Sequence, residues 1–236
     1  MTGGILGPGK HVTHEDSEHW MSVSDLMSGL MIVFLFISIA LMRTAFIERD
    51  KIKQVAVAYK EKQVAIYDAL NSEFSPDLKR WNASIDAKTL AFEFKSPDIL
   101  FGTGSSSLRP VFKEVLQDFF PRYLSVLTTF KKNIDEVRIE GHTSSQWNTQ
   151  ASPDDAYFRN MALSQERTRS VLLFVQLLPE IATEKDWVRE NLAAVGFSSS
   201  KPVLDALGNE DAERSRRVTF RVITNAETQI RRILED

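Results

Sequence analysis

The hydrophobic pattern changes character three times along the chain. From Leu26 to Met42 (LMSGLMIVFLFISIALM) about 17 residues pass without a charge, the short limit for a membrane-spanning helix. Extended back to Met21 the run reaches roughly 33 Å at 1.5 Å per residue, enough to cross bilayer hydrocarbon. No polar face interrupts it, which argues against a buried helix of a soluble protein. A cleaved signal peptide is the other alternative. Against it, the preceding HVTHEDSEHW is acidic and His-rich instead of basic, and no convincing small-residue cleavage site follows.

Past Met42 the chain turns charged, with no Gly or Pro through Leu70. Apolar residues at Ile52, Val55, Tyr59, Ile66 and Ala69 keep a spacing of three to four, with Lys62 breaking one seam position. The helix is expected to continue here, either as a short parallel coiled coil between two copies or as a single amphipathic surface helix.

From about Trp81 strands and helices alternate. Thr89–Phe94 and Val137–His142 read as half-buried strands, and Ala193–Phe197 and Arg217–Thr224 as further ones. Phe101 opens a turn-rich FGTGSSS loop. Leu108–Phe130 reads as a helix with Pro110 in its first turn, and Pro121 is expected to kink or split it. Met161–Leu178 reads as an amphipathic helix ending before Pro179, and Lys185–Leu192 as a shorter one. Strands separated by helices require crossovers. The expected fold is therefore an α/β class domain, a mixed α+β sandwich, behind one membrane helix and a helical stalk. The expected boundaries are a tail at 1–19, a membrane helix at 20–45, a helical or coiled-coil linker at 46–80 and the sandwich at 81–236.

Composition narrows the chemistry. A chain of 236 residues holds one or two domains, and its net charge of −3 leaves no broad basic face for nucleic acid. The absence of cysteine rules out disulfides, thiolate zinc sites and cysteine nucleophiles. No metal site, phosphate loop or nucleophile triad is legible. The three histidines before the membrane do not converge with His142. No cofactor is expected and the chain reads as non-enzymatic.

One residue stands out against the apolar run. Asp25 lies roughly 6 Å inside it if Met21 marks the edge. A carboxylate costs on the order of 2.5–3.5 kcal/mol at the centre of a membrane helix and less near the rim. One alternative makes Asp25 a helix N-cap at the headgroups. The other makes it an intramembrane ion carrier. Trp20 is placed to mark the interface, while Ser24, Ser28 and Gly29 give a close-packing, hydrogen-bonding face around the acid. An ionisable group on such a face suits a proton relay.

Trp20-x-x-Val-Ser-Asp25-Leu-Met27-Ser28-Gly-Leu30, followed by Phe34-Leu-Phe36, resembles the single helix of MotB-type stator subunits, most of all the B subunits of Zorya anti-phage systems. Flagellar MotB usually has Thr where this chain has Ser28. The resemblance implies that Asp25 takes up and releases the coupling ion, proton or sodium, supported by Ser24 and Ser28. It also implies a homodimer inside a ring of a MotA-like (ZorA-like) membrane partner.

About 80–230 resembles the OmpA-like peptidoglycan-binding domain. The matches are Ile139-x-Gly141-His142-Thr143, then Asn160-x-x-Leu163-Ser164-x-x-Arg167, then Arg216-Arg217-Val218. The resemblance implies peptidoglycan binding through His142, Ser144, Asn160, Leu163, Arg167 and Arg217. Arg167 would hold the stem-peptide carboxylate bidentately. The alternative for Arg167 is a helix surface charge between Glu166 and Arg169, and His142 is more often structural than a ligand. Ser144 stands where the family usually has the aspartate that meets the ligand amine. It is followed by a long insert, SQWNTQASPDDAYFR, in which Asp154 or Asp155 is a candidate replacement.

Charge bias and resemblance disagree on topology. Arg43, Arg49, Lys51 and Lys53 follow the span and only Lys10 precedes it, which favours a cytoplasmic C-terminus. The resemblance puts that domain in the periplasm, with the chain single-pass in the inner membrane. The functional expectation is the ion-carrying, wall-anchoring B subunit of an ion-driven rotary motor in anti-phage defence. A flagellar stator subunit and a passive peptidoglycan-binding anchor are the alternatives.

Overall fold

A computed structural model of the chain describes residues 14–95, 100–102 and 104–225, with side chains from Val23 onward. The residues before His14 and the side chain of Trp20 lie outside the described part. The chain divides into two compact units at Gln54/Val55.

In the first unit, helix α1 (His14–Leu78) begins and carries the apolar run. It is the one described helix long and apolar enough to cross a membrane. Every described residue from Val23 to Asp50 is exposed. Leu26, Met31 and Phe36 stand 74%, 76% and 67% exposed, so this surface requires lipid or protein cover.

In the second unit the end of α1 meets a five-stranded sheet. The strands are β1 (Ala83–Asp86), β2 (Ala91–Lys95), β3 (Ile134–His142), β4 (Leu192–Gly196) and β5 (Arg217–Thr224). Their spatial order is β1-β2-β5-β3-β4; β3 and β4 run parallel and the other neighbours antiparallel. The parallel pair needs a crossover, which α3 (Pro153–Gln176) and α4 (Lys185–Asn191) supply. Helix α2 (Pro110–Thr128) joins β2 to β3, and the short α5 (Ala212–Ser215) precedes β5.

Strand alternation sorts the two sheet faces. Phe92 and Phe94 of β2, Val137 and Ile139 of β3, and Val218, Phe220 and Val222 of β5 enter one core. Glu93, Glu140, Thr219 and Arg221 take the opposite parity. Phe119 of α2 lies at the centre of the aromatic cluster, with ring centroids 4.6 Å from Phe92, 5.1 Å from Phe94, 5.1 Å from Phe220 and 5.3 Å from Phe74. Such tilted and edge-on pairs add about 0.5–1.5 kcal/mol each beyond burial.

Phe74 belongs to α1. Ile66, Leu70 and Phe74 are all 0% exposed within this core, so the domain draws on the helix from Ile66 onward. Of the expected seam, Ile66 therefore faces the chain's own core, because the same apolar spacing serves an intrachain core. Gln63 Nε2 donates to the carbonyls of Ala87 and Lys88 in the β1–β2 turn. Arg122 of α2 donates to Glu73 Oε1 (2.7 Å) and Asp77 Oδ2 (3.0 Å) of α1, and its guanidinium lies 4.9 Å from the centre of the Phe74 ring.

Two local expectations need correction. Of the kink or split expected at Pro121, the split does not occur: α2 is one helix from Pro110 to Thr128. The lost hydrogen bond and ring clash of an interior proline cost about 3 kcal/mol, but Leu116, Phe119 and Phe120 before it and Tyr123, Leu124 and Leu127 after it are all buried. Helix α3 starts at Pro153, so the second half of the expected loop insert is helical. Ser152 caps it by accepting from Asp155 N at 3.2 Å, and Asp154 and Asp155 suit its first turn.

Candidate functional site

On α1, Ser28 Oγ donates to the Ser24 carbonyl at 2.8 Å. Asp25 is exposed, with no hydrogen-bond or ion-pair partner among the described residues. Val23, Ser24, Met27, Ser28 and Met31 line one open groove, and Ser28, Met31, Ile32, Phe34, Leu35 and Ser38 line another. A Cβ added at Gly29 would meet nothing within 4 Å. The acid and its small neighbours thus form an unfilled face on an apolar helix.

In the domain, two glycines set helix α3 close against the sheet. A Cβ at Gly141 would lie 2.7 Å from Ser164 O, and one at Gly196 would lie 2.5 Å from Gln165 N. Ser164 Oγ uses that proximity, accepting from Ser198 N at 3.1 Å and donating to Met161 O at 2.9 Å. One turn earlier, buried Asn160 donates from Nδ2 to Ser144 O (3.1 Å) and Gln146 O (3.2 Å), which fixes the loop leaving β3. Leu163 is half-buried on the same helix.

Arg167 is 5% exposed. Its Nε donates to Ser105 O at 3.0 Å, its Nη2 reaches Gly102 O at 3.4 Å, and its guanidinium lies 4.9 Å from the Phe101 ring centre. It is therefore buried, not the surface charge its Glu166 and Arg169 neighbours allow. Its fork already holds the carbonyls of the FGTGSSS loop, so a ligand carboxylate would share it with them.

His142 and Arg217 face each other across β3 and β5. Arg217 Nη1 donates to Ser215 O at 3.2 Å, and its Nε lies 3.8 Å from Glu93 Oε1. His142 stacks flat on Phe197, centroids 5.3 Å apart, and its Nε2 lies 3.4 Å from Glu140 Oε2. The pair is not aligned as a hydrogen bond, and among the described residues neither ring nitrogen has a hydrogen-bond partner. Burial pushes the His142 pKa down; Glu140 pulls it up while Arg217 and Lys201 push it down, and the net direction is down. For Glu140 burial acts upward, but His142, Arg221 and Lys201 outweigh it and lower the pKa. His142 is thus a neutral, packed ring beside a charged carboxylate.

The structure brings Asn160 and Ser144 together, and separately His142 and Arg217. It leaves Asp154 and Asp155 exposed at the start of α3. Glu210 is a residue that sequence reasoning missed: its carboxylate accepts from Ser145 N at 2.9 Å and from Ser145 Oγ, one residue past Ser144. The two are 65 positions apart, and no local pattern connects them.

The structure thus joins an apolar helix with an acid near its start to a mixed-sheet domain with Gly-His-Thr at a strand end and Asn-x-x-Leu-Ser-x-x-Arg on the neighbouring helix, the arrangement in which the sequence resembles MotB-type and OmpA-like proteins. No protein-family model matches the chain. The chain belongs to the ZorB family. It is 57% identical over 232 residues to Zorya protein ZorB of Escherichia coli (strain Crooks), covering 98% of this chain and 99% of that relative. Among solved structures it is similar to the cell wall anchor of the type VI secretion system from Pseudomonas aeruginosa (24% identity, 66% of this chain and 96% of that one, TM-score 0.45). It is also similar to a MotB-like protein from Desulfovibrio vulgaris (21%, 70% and 93%, TM-score 0.49).

Proposed function

We propose that the chain is the ion-carrying, wall-anchoring B subunit of an ion-driven motor in the inner membrane, acting in anti-phage defence. Asp25 is the carrier. Protonation, or sodium binding, neutralises it and changes its contacts with a surrounding MotA-like (ZorA-like) ring, which then steps. Two copies sit inside that ring, and their C-terminal domains hold peptidoglycan in the periplasm. His142, Ser144, Asn160, Leu163, Arg167 and Arg217 build the wall-binding region, chiefly by shaping the loops that the ligand meets. Energy comes from the ion gradient and not from chemistry on the chain.

The observation that carries this reading is the exposed Asp25, without a partner among the described residues, on an apolar helix surface that itself demands cover. ZorB membership, through a relative that this chain matches over nearly its full length, supports the defence role. The test is a phage challenge of cells carrying Asp25→Asn, with co-purification of the MotA-like subunit as a control for assembly. The reading expects protection to be lost and assembly kept. Full protection by Asp25→Asn would leave a passive wall anchor.

A further inference from the structure

We infer that the Ser28 hydroxyl is an acceptor-only ligand for the carried ion, because its own proton is committed to the Ser24 carbonyl. The inference rests on the reading of Asp25 as the carrier. At 3.6 residues per turn, Ser28 stands about 60° around the helix from Asp25 and about 40° from Ser24, so it lies between them one turn up. Its Oγ sits 2.8 Å from Ser24 O. A serine oxygen whose proton is spent offers lone pairs and nothing to donate.

That asymmetry separates the two states of the acid. When Asp25 is loaded with a proton, one carboxyl oxygen carries the O–H, and that O–H donates to Ser28 Oγ. When it is loaded with sodium, the same lone pair coordinates the cation alongside the carboxylate. When Asp25 is empty and ionised, Ser28 offers it no hydrogen bond, and the lone pairs of the two oxygens oppose each other. No covalent bond to Ser28 forms or breaks; the hydroxyl only weights the equilibrium toward the loaded acid. Its position supports this use. Ser28 lies where two open grooves meet, one toward Val23 and Met27, the other toward Phe34 and Ser38. It is thus reachable from both directions along the helix. Enclosed by the ring at membrane depth, this face meets little bulk water, so the loss of this oxygen is not made good by solvent.

The test uses the complex of the full chain with its MotA-like subunit in proteoliposomes. Flux is measured against pH at fixed sodium in one arm and against sodium at fixed pH in the other. Ser28→Val keeps the shape of threonine without its oxygen. It is expected to raise the ion concentration for half-maximal flux about tenfold in the arm of the coupling ion, the scale of one lost hydrogen bond. Ser28→Thr restores the wild-type value, since threonine makes the same bond to the preceding turn. Ser28→Ala serves as a second variant should Ser28→Val fail to co-purify with the ring. An unchanged half-saturation in the variants lacking the oxygen, or an equal rise in Ser28→Thr, overturns the inference and leaves Asp25 as carrier. Absence of any ion-dependent flux from the wild-type complex overturns both.

Discussion

Replacing Arg122 by methionine isolates the contact that ties α1 to the domain. The guanidinium donates Nε to Glu73 Oε1 (2.7 Å), Nη1 to Asp77 Oδ2 (3.0 Å) and Asp118 Oδ1 (3.1 Å), and Nη2 to Glu73 O (3.1 Å). The bonds to Glu73 and Asp77 cross between helices. With the Arg122 side chain 32% exposed and that of Glu73 40% exposed, solvent screening reduces each to about 1 kcal/mol. The cation over Phe74 adds about 0.5–1 kcal/mol, and the methionine stem recovers part of the packing. The expected loss is about 2–3 kcal/mol, which lowers the melting temperature of a unit this size by about 5–10 °C. The assay is thermal unfolding of the detergent-solubilised full chain, followed by near-UV circular dichroism, with Trp81 beside the clamp. Arg122→Lys is expected to recover little, because one ammonium cannot fork to both acids. A shift within about 1 °C for Arg122→Met, or full recovery by Arg122→Lys, would refute the clamp.

Three further outcomes follow from the same geometry. A chain beginning at Trp81 lacks Ile66, Leu70 and Phe74, each fully buried and each worth about 2–5 kcal/mol on truncation to alanine. It is expected to lose cooperative unfolding in urea, while a chain beginning at Val55 keeps it. Burial holds the His142 pKa below its ordinary value of 6.5, so the unfolded chain binds the proton more readily. Stability is then fully present above pH 6.5 and falls as pH drops below it; the lowered Glu140 pKa adds a second loss in a more acid window. Urea midpoints between pH 8 and 3 read this out, and His142→Gln should flatten the upper part of the curve. Gly196→Ala places a Cβ 2.5 Å from Gln165 N and is expected to cost about 1–3 kcal/mol; wild-type stability and undiminished sedimentation with purified peptidoglycan would contradict the close helix–strand contact.

The outline was legible where one periodicity dominates. β5 falls on Arg217–Thr224 as its alternation requires, and α4 ends within a residue of its expected bound. Strand β1 escaped notice because ASID (Ala83–Asp86) is too short and polar to show a pattern, and it gains its place by pairing with β2. The 3–4 spacing around Ile66 is common to a coiled coil and to a helix laid on a sheet, and only the fold separates them. In the site, Asn160 and Arg167 were legible as motif positions, but not their bonds to loop carbonyls. Those bonds depend on long-range approach permitted by Gly141 and Gly196. The Glu210–Ser145 contact lay beyond any local signal because it joins positions 65 residues apart.

The most direct measurement is ion current through the reconstituted complex of this chain with its MotA-like subunit, comparing wild type with Asp25→Asn at equal assembly. The account predicts gradient-driven current in the wild type and none in the variant, with the C-terminal domain equally stable in both. Equal current in the two would contradict it, for the ion would then cross without the one acid of residues 20–45.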